Sequence, residues 1–527
     1  MSDFVVANRA GMYLPHTPPN HTCSDMSRPF TSDRRQFLKQ LSLAGAATLI
    51  PGILADPYAP LVRPVRASAP IRIRGRVHVA GKGLAGIAVT DGRSVVRTAA
   101  DGTYELISGT DRSHVYVSIP SGYGIPQNET GTARFYQTIR PASDGNMDAE
   151  FALTPLDEGD EKHAFLVLAD PQTQDDYEMG LFHEQTVPDV QEVVKLLGDR
   201  HVFGVADGDI MFDNLELYPE YERAVSRMGI PFFQVIGNHD MDYEAMTDET
   251  SSATFRRHFG PAYYSFDRGA VHYVVLDDVF WNHNNYIAYL DETQIQWLRQ
   301  DLAGVEAGRP VVVFNHIPAL STQFQRNGSD RPSPGSAITN RELLYRILEP
   351  YQAHIISGHT HEHEHVFEGG VHEHVTAATC GAWWSGPICA DGTPNGYGVF
   401  EVDGEHITWR YKSTGHDFDH QLRVYPRGTD PSRPTEIVAN IWDWDPEWKV
   451  VWYAGSERKG EMVQGQGTDP LSEQLHRGTD KPEHRPWVDP LPTRHLFYAE
   501  VPSTAEEIRV VAMDRFGRTY TEVLKPA

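Results

Sequence analysis

The stretch Ala353-His354-Ile355-Ile356-Ser357-Gly358-His359-Thr360-His361 decides how this chain is read. It begins as a short apolar run and ends at a glycine, the pattern of a buried strand that hands its last residues to the edge of a sheet. Residues two apart in extended backbone face the same way, so His359 and His361 point together into whatever lies beyond that edge. Two imidazoles aimed into one cavity suggest a metal. In a chain with 25 histidines the pair gains its meaning from four upstream segments, each of which also reads as a strand ending in ligand-type residues.

Residues 164–169 are continuously apolar, as in a strand buried on both faces, and Asp170-Pro171-Gln172 follows. Val190, Val193, Val194 and Leu197 then fall at helical spacing. Residues 201–206 deliver Asp207-Gly208-Asp209-Ile210-Met211-Phe212-Asp213, and residues 231–236 deliver Gly237-Asn238-His239-Asp240. A helix ending near 297–302 precedes the strand 310–314, which delivers Asn315-His316-Ile317-Pro318, and a helix over 340–348 leads into the quoted stretch. Ligands placed repeatedly beyond strand C-termini predict an open α/β sheet with a site on that edge.

Together the segments supply Asp170, Gln172, Asp209, Asn238, His316, His359 and His361. Carboxylate, amide oxygen and imidazole form a mixed hard and borderline set suited to manganese, iron or zinc. Seven ligands exceed the needs of one ion. They suit two ions sharing a carboxylate, and two ions about 3.5–4 Å apart can clamp the attacking and leaving oxygens of an in-line phosphoryl displacement.

The ordered set Asp-x-Gln, Gly-Asp-x-x-x-Asp, Gly-Asn-His-Asp, Asn-His and Gly-His-Thr-His resembles the calcineurin-like metallophosphoesterase superfamily over roughly residues 162–411. The resemblance implies a four-layer β-sandwich flanked by helices, with Asp209 bridging two divalent ions. Asp170, Gln172 and His361 would complete one site, and Asn238, His316 and His359 the other. His239 would act on the phosphate as electrostatic stabiliser and general acid, oriented by Asp240, while a metal-bridging hydroxide attacks without a covalent enzyme intermediate. Gln172 departs from the histidine usual in the first motif. Its neutral amide oxygen either loosens that site toward harder ions such as manganese or magnesium, or holds a water while the site works with fewer protein ligands. The flanking segments resemble the accessory domains of one bacterial branch, for which Gly392-Thr393-Pro394-Asn395-Gly396-Tyr397 is a marker.

Around this catalytic segment, 158–415, lie two β-patterned ones. Residues 70–157 alternate in short runs broken by Asp91-Gly92 and Asp101-Gly102, which is hairpin chemistry, and read as a small antiparallel β-sandwich that resembles the transthyretin-like or carboxypeptidase-regulatory modules. Residues 416–527 read as a second β-sandwich containing a long loop over 456–492. Trp442, Trp444 and Trp448 there are either packing or a sugar or partner surface.

The leader, 1–69, carries Arg34-Arg35 followed by Phe37-Leu38 and a mildly apolar run too short and too interrupted to span a bilayer. It resembles a twin-arginine signal, which implies the twin-arginine export machinery as a partner, a periplasmic or secreted product, and no membrane span after cleavage beyond Ala55, Ala67 or Ala69. Met26 is an alternative start that would omit Cys23. The net charge of −26 repels phosphate backbones and anionic bilayers, which argues against broad nucleic-acid or membrane binding. A phosphate-ester substrate would need local positive charge, and metal ions would supply it; the chain reads as an exported phosphoesterase for a phosphomonoester or phosphodiester, the alternative being a degenerate metal site in a cell-envelope binding protein.

Several residues admit two readings. Cys380 and Cys389 form either a disulfide or two thiols. His363 and His365 read as the solvated face of the next strand or as extra ligands, Asp213 and Asn214 as supports for the bridging loop or substrate contacts, and Asp207 as a structural group behind the ligands. Trp281, Trp383 and Trp384 are either pocket walls or packing, and Arg326 is either a surface arginine or a phosphate contact.

Overall fold

The computed structural model describes residues 70–283, 285–479, 481–504 and 507–524. The leader, with its export signal, candidate start codon and cleavage positions, lies outside the described residues. No helix among the described residues is long and apolar enough to cross a membrane.

Two mixed sheets form the centre. The first runs in the order Phe232–Val235, His201–Asp207, Lys162–Leu168, Gly396–Asp403, His406–Ser413, with the first three strands parallel. The second runs Tyr264–Arg268, Val271–Val275, Pro310–Phe314, Gln352–Ser357, Val371–Val375, Glu364–Glu368. Alternation along each strand sets the layers. Phe165, Val167, Phe203, Val205, Phe233 and Val235 of the first sheet pack face to face with Phe266, Tyr273, Val312, Phe314 and Ile356 of the second. The intervening residues, Ala164, Leu166 and Leu168 on one side and Val311, Val313 and Ile355 on the other, turn outward under helices that include Val187–Leu196, Glu292–Leu302 and Arg341–Leu348. The result is helix, sheet, sheet, helix. The single open sheet expected from the residues alone is therefore corrected to two, with the strands before His316 and before His359 in the second. The hairpin Tyr264–Arg268 and Val271–Val275 completes that second sheet and has no counterpart in the sequence reading; its strands are short and buried on both faces.

The N-terminal segment forms two small sheets, one built on Ile71–Val79 and Thr103–Ser108 and the other in the order Val95–Arg97, Ala88–Thr90, His114–Val117, Tyr136–Thr138. It also covers an open edge of the centre: Ala133 N–H donates to Phe232 O at 2.8 Å, and Phe232 N–H to Gly131 O at 3.0 Å.

The C-terminal segment is a sandwich of two four-stranded antiparallel sheets around Ile437, Trp448, Trp452, Phe497 and Val510. Trp448 is buried in that core with Trp444 packed against it, and Trp442 is buried in the core of the catalytic segment, so these tryptophans are packing. The long loop expected over 456–492 is corrected. It holds the strands Glu457–Glu461 and Val463–Thr468 and the helix Pro470–Arg477, capped by the Asp469 carboxylate. The two strands are largely exposed and polar, which hid them from a search for apolar alternation.

Candidate metal centre

Each loop that carries a candidate ligand leaves a strand at the same end of the sandwich. Asp170, Gln172, Asp209 and Asn238 follow strands of the first sheet, and His316, His359 and His361 follow strands of the second. The loops hold their side chains through unusual backbone. Asp170, Gln172, Asp209, His359 and His361 all have φ between 40° and 68°, the left-handed region that costs a non-glycine residue on the order of 1–3 kcal/mol. The glycines before them are required by close approach. A Cβ on Gly208 would lie 2.2 Å from the His316 ring, one on Gly237 2.0 Å from the Asp209 amide nitrogen, and one on Gly358 2.4 Å from the Asp170 carboxylate.

The structure brings the seven residues together, and all but the half-buried His359 are buried. His316 Nε2 lies 3.2 Å from Asp209 Oδ2 and 3.3 Å from His359 Nδ1, and His361 Nε2 lies 3.4 Å from Asp170 Oδ1. The Gln172 amide donates to Asp209 Oδ2 at 3.2 Å. Backbone carbonyls fix which nitrogen of each imidazole is bare. His316 Nδ1 donates to Asp207 O at 3.1 Å, His359 Nε2 to Gly335 O at 3.1 Å and His361 Nδ1 to Gly381 O at 2.8 Å. The other nitrogen of each ring, with its lone pair, faces carboxylate oxygen or another bare nitrogen. Such lone pairs repel unless a positive charge lies between them.

The electrostatics agree. Asp170, Asp207, Asp209, Asp240 and Asp278 are all buried, and among the described residues no lysine or arginine pairs with any of them. Burial raises Asp207 well above the carboxylate range, and burial together with Asp209 lifts Asp240 to about 7. Burial alone would lower His316, but Asp209, with Asp170 and Asp278, outweighs it and, with no cation beside them, lifts the ring to about 10: these carboxylates call for a positive charge at Nε2, which a proton or a metal ion can supply. Asp170 Oδ1 and Asn238 Oδ1 are buried with no hydrogen-bond partner, and so are both oxygens of Asp207. Buried acceptors without donors, bare imidazole nitrogens and uncompensated carboxylates together fit divalent cations.

His239 stands at the open side of the centre. Its N–H donates to Asp209 Oδ1 at 2.8 Å, and its Nδ1 lies 2.5 Å from Asp213 Oδ1, leaving Nε2 free. The expectation that Asp240 orients this ring is corrected. Asp240 turns inward, where Ile210 N–H, Met211 N–H, Gly237 N–H and the Tyr218 hydroxyl all donate to its carboxylate, so it fastens the bridging loop. Asp213 orients His239 instead, and its place four residues after Asp209 was the only signal in the sequence. Asn214 ties that loop to the Asp170 segment through Gln174 O.

The remaining residues with two readings also resolve. Trp383 stacks on His361 at 4.1 Å between centroids, Trp384 donates to Pro171 O at 3.0 Å, and Trp281 is core. Cys380 and Cys389 are buried free thiols, with Cys380 Sγ 3.8 Å from His361 Nδ1. Arg326 is neither a surface arginine nor a phosphate contact. It is buried and paired with Glu362 and Glu364. His363 and His365 are not on a solvated face: both reach Asp443 of the C-terminal segment, at 3.1 and 2.9 Å. Sequence periodicity missed this because the C-terminal sandwich covers the face. The same sandwich brings Arg485 over the Phe212 ring at 4.9 Å and Trp487 against Trp383 at 4.7 Å, a rim that no motif announces.

A two-sheet α/β sandwich with a polydentate, cation-seeking centre at one end defines the class, and comparison with known proteins gives the family. Three family models match in order. "N terminal of Calcineurin-like phosphoesterase" matches residues 71–156, "Calcineurin-like phosphoesterase" residues 163–363 and "C terminal of Calcineurin-like phosphoesterase" residues 373–520. The chain belongs to the calcineurin-like phosphoesterase superfamily, a family of phosphoric ester hydrolases. Among curated relatives, the serine/threonine-protein phosphatase CPPED1 of Bos taurus is 32% identical over 188 residues, 35% of this chain and 56% of that protein. The Homo sapiens CPPED1 is 30% identical over 194 residues, 36% of this chain and 58% of that protein. Purple acid phosphatase 15 of Arabidopsis thaliana is 28% identical over 146 residues, 26% of this chain and 25% of that protein. The chain thus spans little more than half the length of the CPPED1 proteins. Among solved structures, purple acid phosphatase PPD1 from yellow lupin seeds matches at a TM-score of 0.36 and 11% identity, over 65% of this chain and 71% of that one. At that score the likeness carries no argument.

Proposed function

We propose that this chain is an exported dinuclear-metal phosphoesterase that hydrolyses a phosphomonoester or phosphodiester. The observation that carries the reading is the convergence of three bare imidazole nitrogens on two uncompensated buried carboxylates. Two divalent cations, manganese, iron or zinc with magnesium as a further candidate, would be held by Asp170, Gln172 and His361 and by Asn238, His316 and His359, with Asp209 between; they would supply the positive charge that a phosphate and an activated water require.

The chain's own residues supply the rest. His239 presents Nε2 to the open side, within reach of a phosphate resting on the centre, and Asp213 holds the ring in the tautomer that leaves that nitrogen free. In its protonated state the ring stabilises phosphoryl oxygen and gives its proton to the departing alkoxide or phenoxide. Burial would lower His239, but Asp209 and Asp213 outweigh it and raise it above the ordinary histidine value, which favours the acid form. Trp383 and the Arg485 and Trp487 rim limit what the leaving group can be. The curated relatives are named phosphatases, which favours a monoester substrate. Export to the periplasm or beyond, by the twin-arginine route, rests on the leader sequence.

The test is turnover of chemically diverse phosphoesters, beginning with aryl phosphate mono- and diesters, by purified protein supplied with manganese, iron or zinc. Metal-dependent hydrolysis of at least one class is expected. No hydrolysis of any ester with any of these metals would overturn the reading.

A further inference from the structure

A second concentration of metal-type ligands lies outside the centre described above. The strand Val371–Val375 carries His372 and His374 on one face of the second sheet. In register, His354 of the neighbouring parallel strand stands opposite His372, and His365 of the antiparallel edge strand stands opposite His374. Four imidazoles from three adjacent strands therefore share one patch, set back toward the N-terminal ends of the strands that lead to His316 and His359.

The side chains close on one another. Ligand nitrogens of His354, His372 and His374 all lie within 4.8 Å of each other, and His354 Nδ1 is 3.0 Å from His374 Nε2. His374 Nδ1 is buried without a hydrogen-bond partner. His365 adds a fourth ring, its Nδ1 3.1 Å from His372 Nε2. Asp443 fixes the tautomer of that ring, because His365 Nε2 donates to its carboxylate at 2.9 Å and Nδ1 is left bare. His363 is held on the same carboxylate, with Ala377 N–H donating to its Nδ1 at 3.3 Å. A carboxylate behind a histidine is the support that metal-binding imidazoles use.

Imidazole–imidazole contacts pair His354 with His374 and His365 with His372, but His374 Nδ1 is left buried with no partner. Apolar residues would fill the space beside Trp409, Phe400 and Phe367 with no cost for unpaired nitrogens. Burial first, with Arg515 and neighbouring rings adding to it, lowers His354 to about 4 and lowers His372 and His374 as well, which favours neutral rings that hold their lone pairs. Arg515, which lies over the Trp409 and Phe367 rings beside the patch, is ion-paired with Asp445 at 2.6 Å and Glu447 at 3.1 Å. A cavity of about 460 Å³ lined by His354, His372 and Phe367 opens onto the patch and gives an ion a way in.

We propose that His354, His372 and His374, supported by His365 and Asp443, bind one transition-metal ion of the zinc, nickel or copper type, separate from the phosphoesterase centre. Neutral imidazole selects these borderline ions over magnesium, calcium or manganese. With three imidazoles and an opening to solvent, the site has the form of an exchangeable one, able to take a water or His365 in the fourth position. Because Asp443 belongs to the C-terminal sandwich, the ion would also clamp that sandwich to the edge of the catalytic sheet.

The test uses the full-length chain. Wild type and the variants His354→Asn, His372→Asn/His374→Asn and Asp209→Asn are stripped with chelator, reloaded with excess Zn²⁺, desalted and analysed for zinc per chain. The double variant is expected to hold one equivalent fewer than wild type and to keep the wild type's hydrolysis of aryl phosphates, whereas Asp209→Asn loses a different portion of the zinc. The double variant should also lose the visible absorption of its Co²⁺ form that Asp209→Asn retains. Equal zinc content and equal Co²⁺ spectra in wild type and the double variant would overturn the proposal. Should the double variant fail to fold, His354→Asn decides, since its ring lines the open cavity: at least tenfold weaker binding of one Zn²⁺ supports the site, and unchanged binding overturns it.

Discussion

His239 and Asp213 show how one contact assigns a role. The carboxylate at 2.5 Å holds one ring nitrogen and so frees the other, which makes Asp213 a positioning residue and His239 the group that meets substrate. We expect His239→Asn to lower kcat by about 10²–10⁴-fold while metal content stays at the wild-type level. Asp213→Asn should lower kcat less and shift the alkaline side of its pH profile to lower pH, because the ring loses the carboxylate that favours its protonated form. The seven candidate ligands were legible in the sequence because each is a short motif after an apolar run. The partner of His239 was not, since proximity across a turned loop leaves no periodic trace. Gly237 makes the same point from the backbone. Gly237→Ala should abolish the centre, as its Cβ would meet the Asp209 amide nitrogen at 2.0 Å, and loss of bound metal with retained secondary structure would register this.

Among the elements, His272 joins three: its Nδ1 lies 2.9 Å from Asp267 at the end of one strand, and its Nε2 lies 2.9 Å from Asp301 in the helix Glu292–Leu302. Burial alone would lower this ring, but Asp301 and Asp267 outweigh it and raise it from 6.5 to about 9. The folded state therefore prefers the protonated ring. Its contribution is full below pH 6.5 and is lost as pH rises through about 9, a difference on the order of 3 kcal/mol. Denaturant unfolding of wild type should show this decline between those values, and His272→Gln should flatten it. Elements announced by strong apolar runs, such as Lys162–Leu168, were readable from sequence. The assignment of strands to two sheets was not, because strands buried on both faces give the same apolar run whichever sheet they join. The polar strands Glu457–Glu461 and Val463–Thr468 failed for the opposite reason: they bury too little to leave a pattern.

Across the whole molecule, the C-terminal sandwich is a working part of the site. It delivers Arg485 and Trp487 to the rim and Asp443 to the histidines beyond it. It docks where the marker segment begins, for a Cβ on Gly392, at φ 88°, would lie 2.2 Å from Asp469 Cγ and 2.6 Å from Asn440 Nδ2. Gly392→Ala should therefore loosen the sandwich at a cost of about 1–3 kcal/mol, visible as a lower Tm and faster limited proteolysis after the catalytic segment. The charge of the molecule points the same way as its centre: with a net charge of −26, an anionic ester is drawn in only where cations gather. The most direct measurement is elemental analysis of bound metal in wild type and Asp209→Asn, purified alike and assayed on the same aryl phosphate. Sharing of two cations by Asp209 predicts that the variant loses one to two equivalents of metal and at least ~10³-fold of its turnover. Unchanged metal content and turnover in Asp209→Asn would contradict it.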